Sequence, residues 1–307
     1  MLLRGGAALV DRAAGEAWVL IDDGEVARFG PALALCLQAG AGSLVHVLVE
    51  ETVPGAAGVI ARRAAAFAND TDVWTVTGRS LARADQAPPV NMPEGAPDPE
   101  LVELLTNHGV DPVFEHGVLR GEFQGLEVAR VVGGRLMVGV GRHDRNARSE
   151  MRPGEDPGAA LDSAVDAVRR WRRPGAARHP ANTLARSRWL RSIVCARPSV
   201  VALESLHPVP PPLPWFDLPE AGSAPCVGAD ASGTEVVVVC SVGVDLDLVP
   251  TAADCRLLYG HASDGPLLLV MPSGDDVPVT RRLAAMLASP AAVVTVSREW
   301  ESLSAEP

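Results

Sequence analysis

The sequence predicts an α/β protein in which two homologous lobes with parallel-rich sheets flank an α+β insert. Three observations lead there. A stretch near the start recurs near the end. Short apolar runs alternate with longer segments of helical period. Between the two copies, proline-rich edges bound a segment of different composition and opposite charge.

The repeat is direct. Residues 7–42 laid over 226–261 without gaps match Asp11 with Asp230, Glu16 with Glu235, Gly24 with Gly243, Pro31 with Pro250 and Cys36 with Cys255. With small gaps, LVHVLVE (44–50) falls on PLLLVMP (266–272), ARRAAAF (61–67) on TRRLAAM (280–286) and VWTVT (73–77) on VVTVS (293–297). Each copy reads as a strand pair, a helix starting near Pro31 or Pro250, a buried strand, a helix carrying Arg62-Arg63 or Arg281-Arg282, and a last strand. Apolar runs separated by helical patterns indicate parallel strands joined by crossovers. Asp11 and Asp230 stand where a tight turn favours aspartate. The expected organisation is a first lobe at 1–83, a proline-rich linker at 84–99, the insert at 100–204, a second linker at 205–225 and the second lobe at 226–307. Two such lobes in one chain suggest the two halves of an ancestral homodimer.

Within the insert, Asp98-Pro99 opens a helix running to Gly109, with Asp at the cap and Pro in the first turn. A three-stranded meander is expected at 112–120, 123–132 and 135–141, its last two strands joined by Gly133-Gly134. Asp156-Pro157 opens a second helix with Leu161, Val165 and Val168 on one side, and a third at 181–195 turns Ala185, Trp189 and Ile193 inward.

Charge is distributed unevenly. The chain carries −11 overall, yet residues 140–198 hold 13 of its 27 basic residues against six acidic ones. Such asymmetry is the footprint of a surface that meets an anion. Every basic residue is arginine. Without lysine there is no Walker A loop, no Schiff base and no Ser-x-x-Lys acyl enzyme. Five cysteines, Cys36, Cys195, Cys226, Cys240 and Cys255, form no Cys-x-x-Cys pair and read as small buried hydrophobes. The histidines show no ligand spacing, so no metal site is legible. No apolar run reaches membrane length and the start lacks the pattern of a signal peptide, so a cytoplasmic location and no membrane partner are expected.

The candidate anion-binding residues are Arg142 and Arg145, with Arg148 and Arg152 nearby; Arg169, Arg170, Arg172 and Arg173 at a helix end; and Arg186, Arg188 and Arg191 on the next helix. Guanidinium forks match phosphate geometry, and Trp171 and Trp189 lie among them as candidate stacking surfaces. Arg142-His143-Asp144-Arg145 is the densest polar cluster, read as a turn beyond a strand end, where His143 is a weak candidate base. In the lobes, Asp22, Asp23, Glu25, Asp245, Asp247 and the pairs Glu50-Glu51 and Asp275-Asp276 follow strand ends. They read as turn and capping residues ahead of helices.

A helix followed by EHGVLRGEFQGLEVARVVGGRLMVGVGRHDR (115–145) resembles, over about 50 residues, the order of elements in the restriction-endonuclease-like superfamily. That resemblance implies an α+β core holding Mg²⁺ between carboxylates, with Glu115, Glu122 and Glu127 as candidate catalytic residues. Where the family's Glu-x-Lys stands, this chain has Val138-Gly139-Val140-Gly141-Arg142, which implies a site without activity. The residues alone place Glu122 and Glu127 on the solvent face of a strand. The function expected from the sequence is binding of an anion, foremost nucleic acid, DNA or RNA, by the arginine-rich insert, without a cofactor and without assigned catalysis. One alternative is an assembly or scaffold protein whose basic insert docks on an acidic surface, its own or a second copy's. The other is a divergent metal-dependent nuclease, for which alone Mg²⁺ would be needed.

Overall fold

The computed structural model describes residues 2–3, 6–40, 44–52, 54–90, 92–93, 95–151, 154–213 and 222–304. The protein is mixed α/β with three sheets. The first contains β1 (Leu2–Leu3), β2 (Gly6–Asp11), β3 (Glu16–Ile21), β4 (Leu44–Glu50), β5 (Asp70–Thr77) and β6 (Ser80–Arg83) in that order. Strands β3, β4 and β5 are parallel, with antiparallel strands on either side. Helix α1 (Phe29–Gln38) makes the crossover from β3 to β4 and α2 (Ala56–Ala64) the one from β4 to β5. Alternation along β3 buries Ala17, Val19 and Ile21 and leaves Trp18 exposed, the period-two signature of a sheet covered on one side. Asp11 does at the β2–β3 turn what its position predicts: its carboxylate accepts from the amides of Ala13 and Ala14.

The insert begins with α3 (Pro99–Asn107), capped by the Asp98 carboxylate on the Glu100 amide as expected. The predicted three-stranded meander is corrected to four antiparallel strands: β7 (Asp111–Glu115), β8 (Val118–Phe123), β9 (Leu126–Val132) and β10 (Arg135–Val138). Its physical cause is a turn hidden inside the expected strand 112–120. His116 and Gly117 both take positive φ, as do Gln124-Gly125 and Gly133-Gly134, so each strand pair closes through two left-handed residues. Helix α4 (Gly141–Met151) replaces the turn expected around His143. Next come α5 (Pro157–Trp171), α6 (Pro180–Thr183) and α7 (Arg186–Ala196). The single helix expected at 181–195 is broken because Ala185 adopts φ 48°, a left-handed conformation that ends one helix and starts the next. Leu161, Val165 and Val168 of α5 pack with Leu105, Leu119, Leu126 and Val128 to form the core of this segment.

The third sheet runs β11 (Ser205–Pro208), β12 (Ala224–Ala229), β13 (Glu235–Cys240), β14 (Leu267–Pro272) and β15 (Ala292–Val296), with α8 (Leu248–Tyr259) after β13 and α9 (Pro278–Ala285) after β14. The first strand of this sheet lies within the expected linker 205–225, pairing antiparallel with β12; residues 214–221 of that linker lie outside those described. From β2 to β5 and from β12 to β15 the order is the same: strand, strand, helix, strand, helix, strand. At the β12–β13 turn, Asp230 accepts from the amides of Ser232 and Thr234.

Two compact units result, Met1–Val90 with Val244–Leu269 and Asp276–Val293, and Asn91–Gly243 with Val270–Asp275 and Val294–Pro307. Inside the first unit, α1 packs on α8, α2 on α8 and α1 on α9. Phe67 and Leu287 form an antiparallel bridge, in which Ala68 donates to Met286 O at 2.8 Å and Ala288 donates to Ala66 O at 2.9 Å. Gly30 is required at the α1–α8 contact, because a Cβ there would lie 2.0 Å from Leu246 O. Beneath it, Arg62 and Arg63 hold Asp254, and Arg63 also holds Asp247, all buried. No helix among the described residues is long and apolar enough to cross a membrane.

Candidate anion-binding site

The basic segment divides into arginines that fold the protein and arginines that face solvent. Arg172 belongs to the first kind. It is fully buried at the end of α5, donates to the carbonyls of Ala181 (2.7 Å), Gln124 and Leu184, and lies over the Trp189 ring at 4.8 Å from the centroid. Burial pushes its pKa down to about 9. Trp189 is itself buried edge-on against Trp300, so it is a core residue and not the open stacking surface expected of it.

On β7, β8 and β9, Glu115, Glu122 and Glu127 are brought together. The expectation that Glu122 and Glu127 face water is overturned: they are 2% and 5% exposed. Arg188 from α7 bridges Glu122 and Glu115, the latter at 2.8 Å. Arg191 lies 2.9 Å from Glu122 and 3.7 Å from Glu115. Arg120 sits between Glu115 and Glu127 at 3.5 and 3.4 Å, and Arg145 from α4 binds Glu127 at 2.6 Å. Burial alone would raise the pKa of Glu115, but the guanidinium groups of Arg188 and Arg191 hold it below the usual carboxylate range. For Arg188, burial pulls the pKa down while Glu122 and Glu115 carry it above the ordinary arginine value. The convergence of carboxylates implied by the nuclease resemblance is therefore present, and each carboxylate is engaged by guanidinium groups. Among the described residues no cluster of three or more His, Cys, Asp or Glu could hold a metal ion.

This network removes Arg145, Arg172, Arg188 and Arg191 from the open face predicted for the nine arginines. The reason is electrostatic: a guanidinium fork that reads phosphate also reads a carboxylate, and β7–β9 supply three of them. The backbones of Arg142 and His143 lie in α4, but their side chains are outside what is described, and Arg152 is outside the described residues altogether. Arg148 pairs with Glu155 at 2.8 Å.

What faces solvent surrounds the α5–α7 connection. Arg169, Arg170, Arg173 and Arg178 are exposed, and Arg186 is partly so. Here Arg173, Arg178, Arg186, Asn182, Thr183 and Glu301 line an open cavity of about 390 Å³. Its wall is fixed by local bonds. His179 Nδ1 accepts from the Ala181 amide, Asn182 Oδ1 accepts from the His179 amide, and Asn182 Nδ2 donates to Ala177 O at 2.9 Å. The His179 ring stacks on Trp171 at 4.1 Å, nearly coplanar. Arg186 pairs with Glu301 and lies over Trp300. Sequence reading found Arg173 and Arg186 and missed Arg178, Asn182 and Glu301. His179-Pro180 followed by Asn182 was the available signal for a capped turn. Glu301 had none, being more than a hundred residues away.

The acidic residues after strand ends in the lobes are used structurally. Asp23 pairs with Arg28, Glu51 accepts from the Ala57 amide at the start of α2, and Asp247 holds Arg63. Asp275 and Asp276 do not cap α9 as expected: Asp275 accepts from the Gly243 amide and Asp276 pairs with Arg281.

No family model, curated protein or solved structure matches the chain. Any reading of function therefore stands on the site itself.

Proposed function

We propose that the protein binds phosphate-bearing polyanions, nucleic acid foremost, at the α5–α7 cavity, with Arg173, Arg178 and Arg186 as the phosphate contacts and Arg169 and Arg170 extending the path along α5. One observation carries this reading: three arginines and a single carboxylate line the cavity, leaving an excess of positive charge open to solvent. Arg172 supports it indirectly, because its bonds to three carbonyls hold the chain ends of the cavity in place before any ligand arrives. A fluorescent single-stranded oligonucleotide at 50 mM salt is expected to bind, with affinity falling steeply as salt rises. Arg173→Ala/Arg178→Ala should lower the log–log salt slope by about 2, one unit per lost phosphate contact. Absence of binding at low salt, or a slope unchanged by the double variant, removes the proposal.

We infer also that the two lobes are copies of one unit, fused from a homodimer. Support comes from their common element order, from Asp11 and Asp230 forming the same kind of turn, and from reciprocal helix contacts. The equivalent helices α1 and α8 touch each other, while α2 against α8 and α1 against α9 are the two halves of one exchanged pair. The Phe67–Leu287 bridge likewise joins two positions that lie one residue apart in the alignment of the repeat.

A further inference from the structure

We propose that the outer face of the first sheet docks a basic amphipathic helix of another protein. The strand register lays this face out in rows. Across β2 to β5, the first row is Asp11, Glu16, Leu44 and Asp70, and the second is Leu9, Trp18, His46 and Asp72. In the third, Leu20, Leu48 and Trp74 are followed by Arg83 on β6, and beyond it Val76 stands opposite Leu81. Leu9 is 71% exposed, Leu81 52% and Trp18 37%, so the apolar middle of the sheet is open to water. Solitary exposed apolar residues are ordinary, but a continuous patch marks an interaction surface.

The kind of partner follows from two observations. First, the matching positions in the other repeat are covered, and by a helix. Trp18 and Leu20 align with Val237 and Val239, which are 3% and 0% exposed. Helix α7 packs on β11, β12 and β13 there, bringing Trp189, Leu190, Ile193 and Val194 inward along with Arg188 and Arg191. An arginine-bearing helix of 11 residues is thus what this kind of lobe accepts on that side. Second, the open face is acidic along one margin, where Asp11, Glu16, Asp70 and Asp72 meet a single guanidinium, Arg83, bound to Asp72. Carboxylates beside an apolar stripe select a helix with Leu or aromatic residues on one side and Arg or Lys along its flank. Trp74 Nε1 is buried on this face without a hydrogen-bond partner, a donor left for an incoming acceptor. His46, stacked on Trp18 at 3.8 Å, keeps that indole upright against the sheet.

The test uses the full chain and a synthetic 14-residue Leu/Lys amphipathic peptide, with a Leu/Glu peptide of the same pattern as control, read by tryptophan fluorescence and isothermal calorimetry. The Leu/Lys peptide is expected to bind and the Leu/Glu peptide not to. Trp18→Ala and, separately, Glu16→Arg/Asp70→Arg should each weaken binding at least tenfold with the melting transition retained. Arg173→Ala/Arg178→Ala should leave peptide binding unchanged, which keeps this proposal separate from the anion site. No binding of the Leu/Lys peptide, equal binding of both peptides, or affinity indifferent to Trp18→Ala overturns it. A concentration-dependent dimer in sedimentation that Trp18→Glu dissolves also overturns it, assigning the face to a second copy.

Discussion

Arg172 and Arg173 are adjacent, chemically identical and opposite in fate: one is buried against three carbonyls, the other lines an open cavity. Composition showed the cluster of arginines but could not sort them, because burial depends on partners supplied by distant strands. Glu122 is the clearest such partner, since two buried guanidinium groups meet it. Glu122→Ala should destabilise the fold by about 3–5 kcal/mol in urea unfolding, the usual penalty for leaving buried charge uncompensated. Adding Arg188→Met should recover part of that loss, as a double-mutant cycle would show. Asp245 gives a pH signature. Burial, then the neighbouring Asp247, pushes its pKa from 3.8 up to about 6. Between those values the folded chain keeps a proton that the unfolded chain has released, so this residue's contribution is full below pH 3.8 and is lost as pH rises through about 6. Asp245→Asn should flatten the dependence of stability on pH across that window, measured by urea midpoints at successive pH values.

At the scale of elements, the strands, helices and turns with local causes were legible. Asp98-Pro99 and Asp156-Pro157 cap helices as their sequence says, and Gly133-Gly134 turns a hairpin. What escaped were turns whose left-handed positions are held by non-glycine residues. His116, Gln124 and Ala185 each take positive φ, and two of them divide elements that hydrophobic pattern alone had joined. Gly125 shows how tightly such a turn is packed: a Cβ on it would lie 2.2 Å from the backbone carbon of Arg188 at the start of α7. Gly125→Ala should therefore destabilise the protein by about 2–3 kcal/mol, combining overpacking with a strained φ. Thermal or chemical denaturation measures that loss. Gly133→Ala, with nothing near its Cβ, should lose only the conformational part.

For the whole molecule, the repeat was visible because matched residues preserve order and spacing, whereas the cavity at the α5–α7 connection was not. Its lining combines a loop arginine, a capped turn and a glutamate from the last described segment, and no periodicity links them. The first compact unit includes residues from both ends of the chain. Residues 1–90 expressed alone should consequently show no cooperative monomeric melting transition, because α8 and α9 are missing from their contact with α1 and α2. Calorimetry of that fragment checks this directly. The bridge between Phe67 and Leu287 has a further consequence during synthesis. At a translation rate of about 5–20 residues per second, the early strands wait roughly 10–40 s on the ribosome before their helical counterpart emerges. Throughout that interval the nascent chain displays an unfinished apolar core, so production of this protein should be unusually sensitive to chaperone supply.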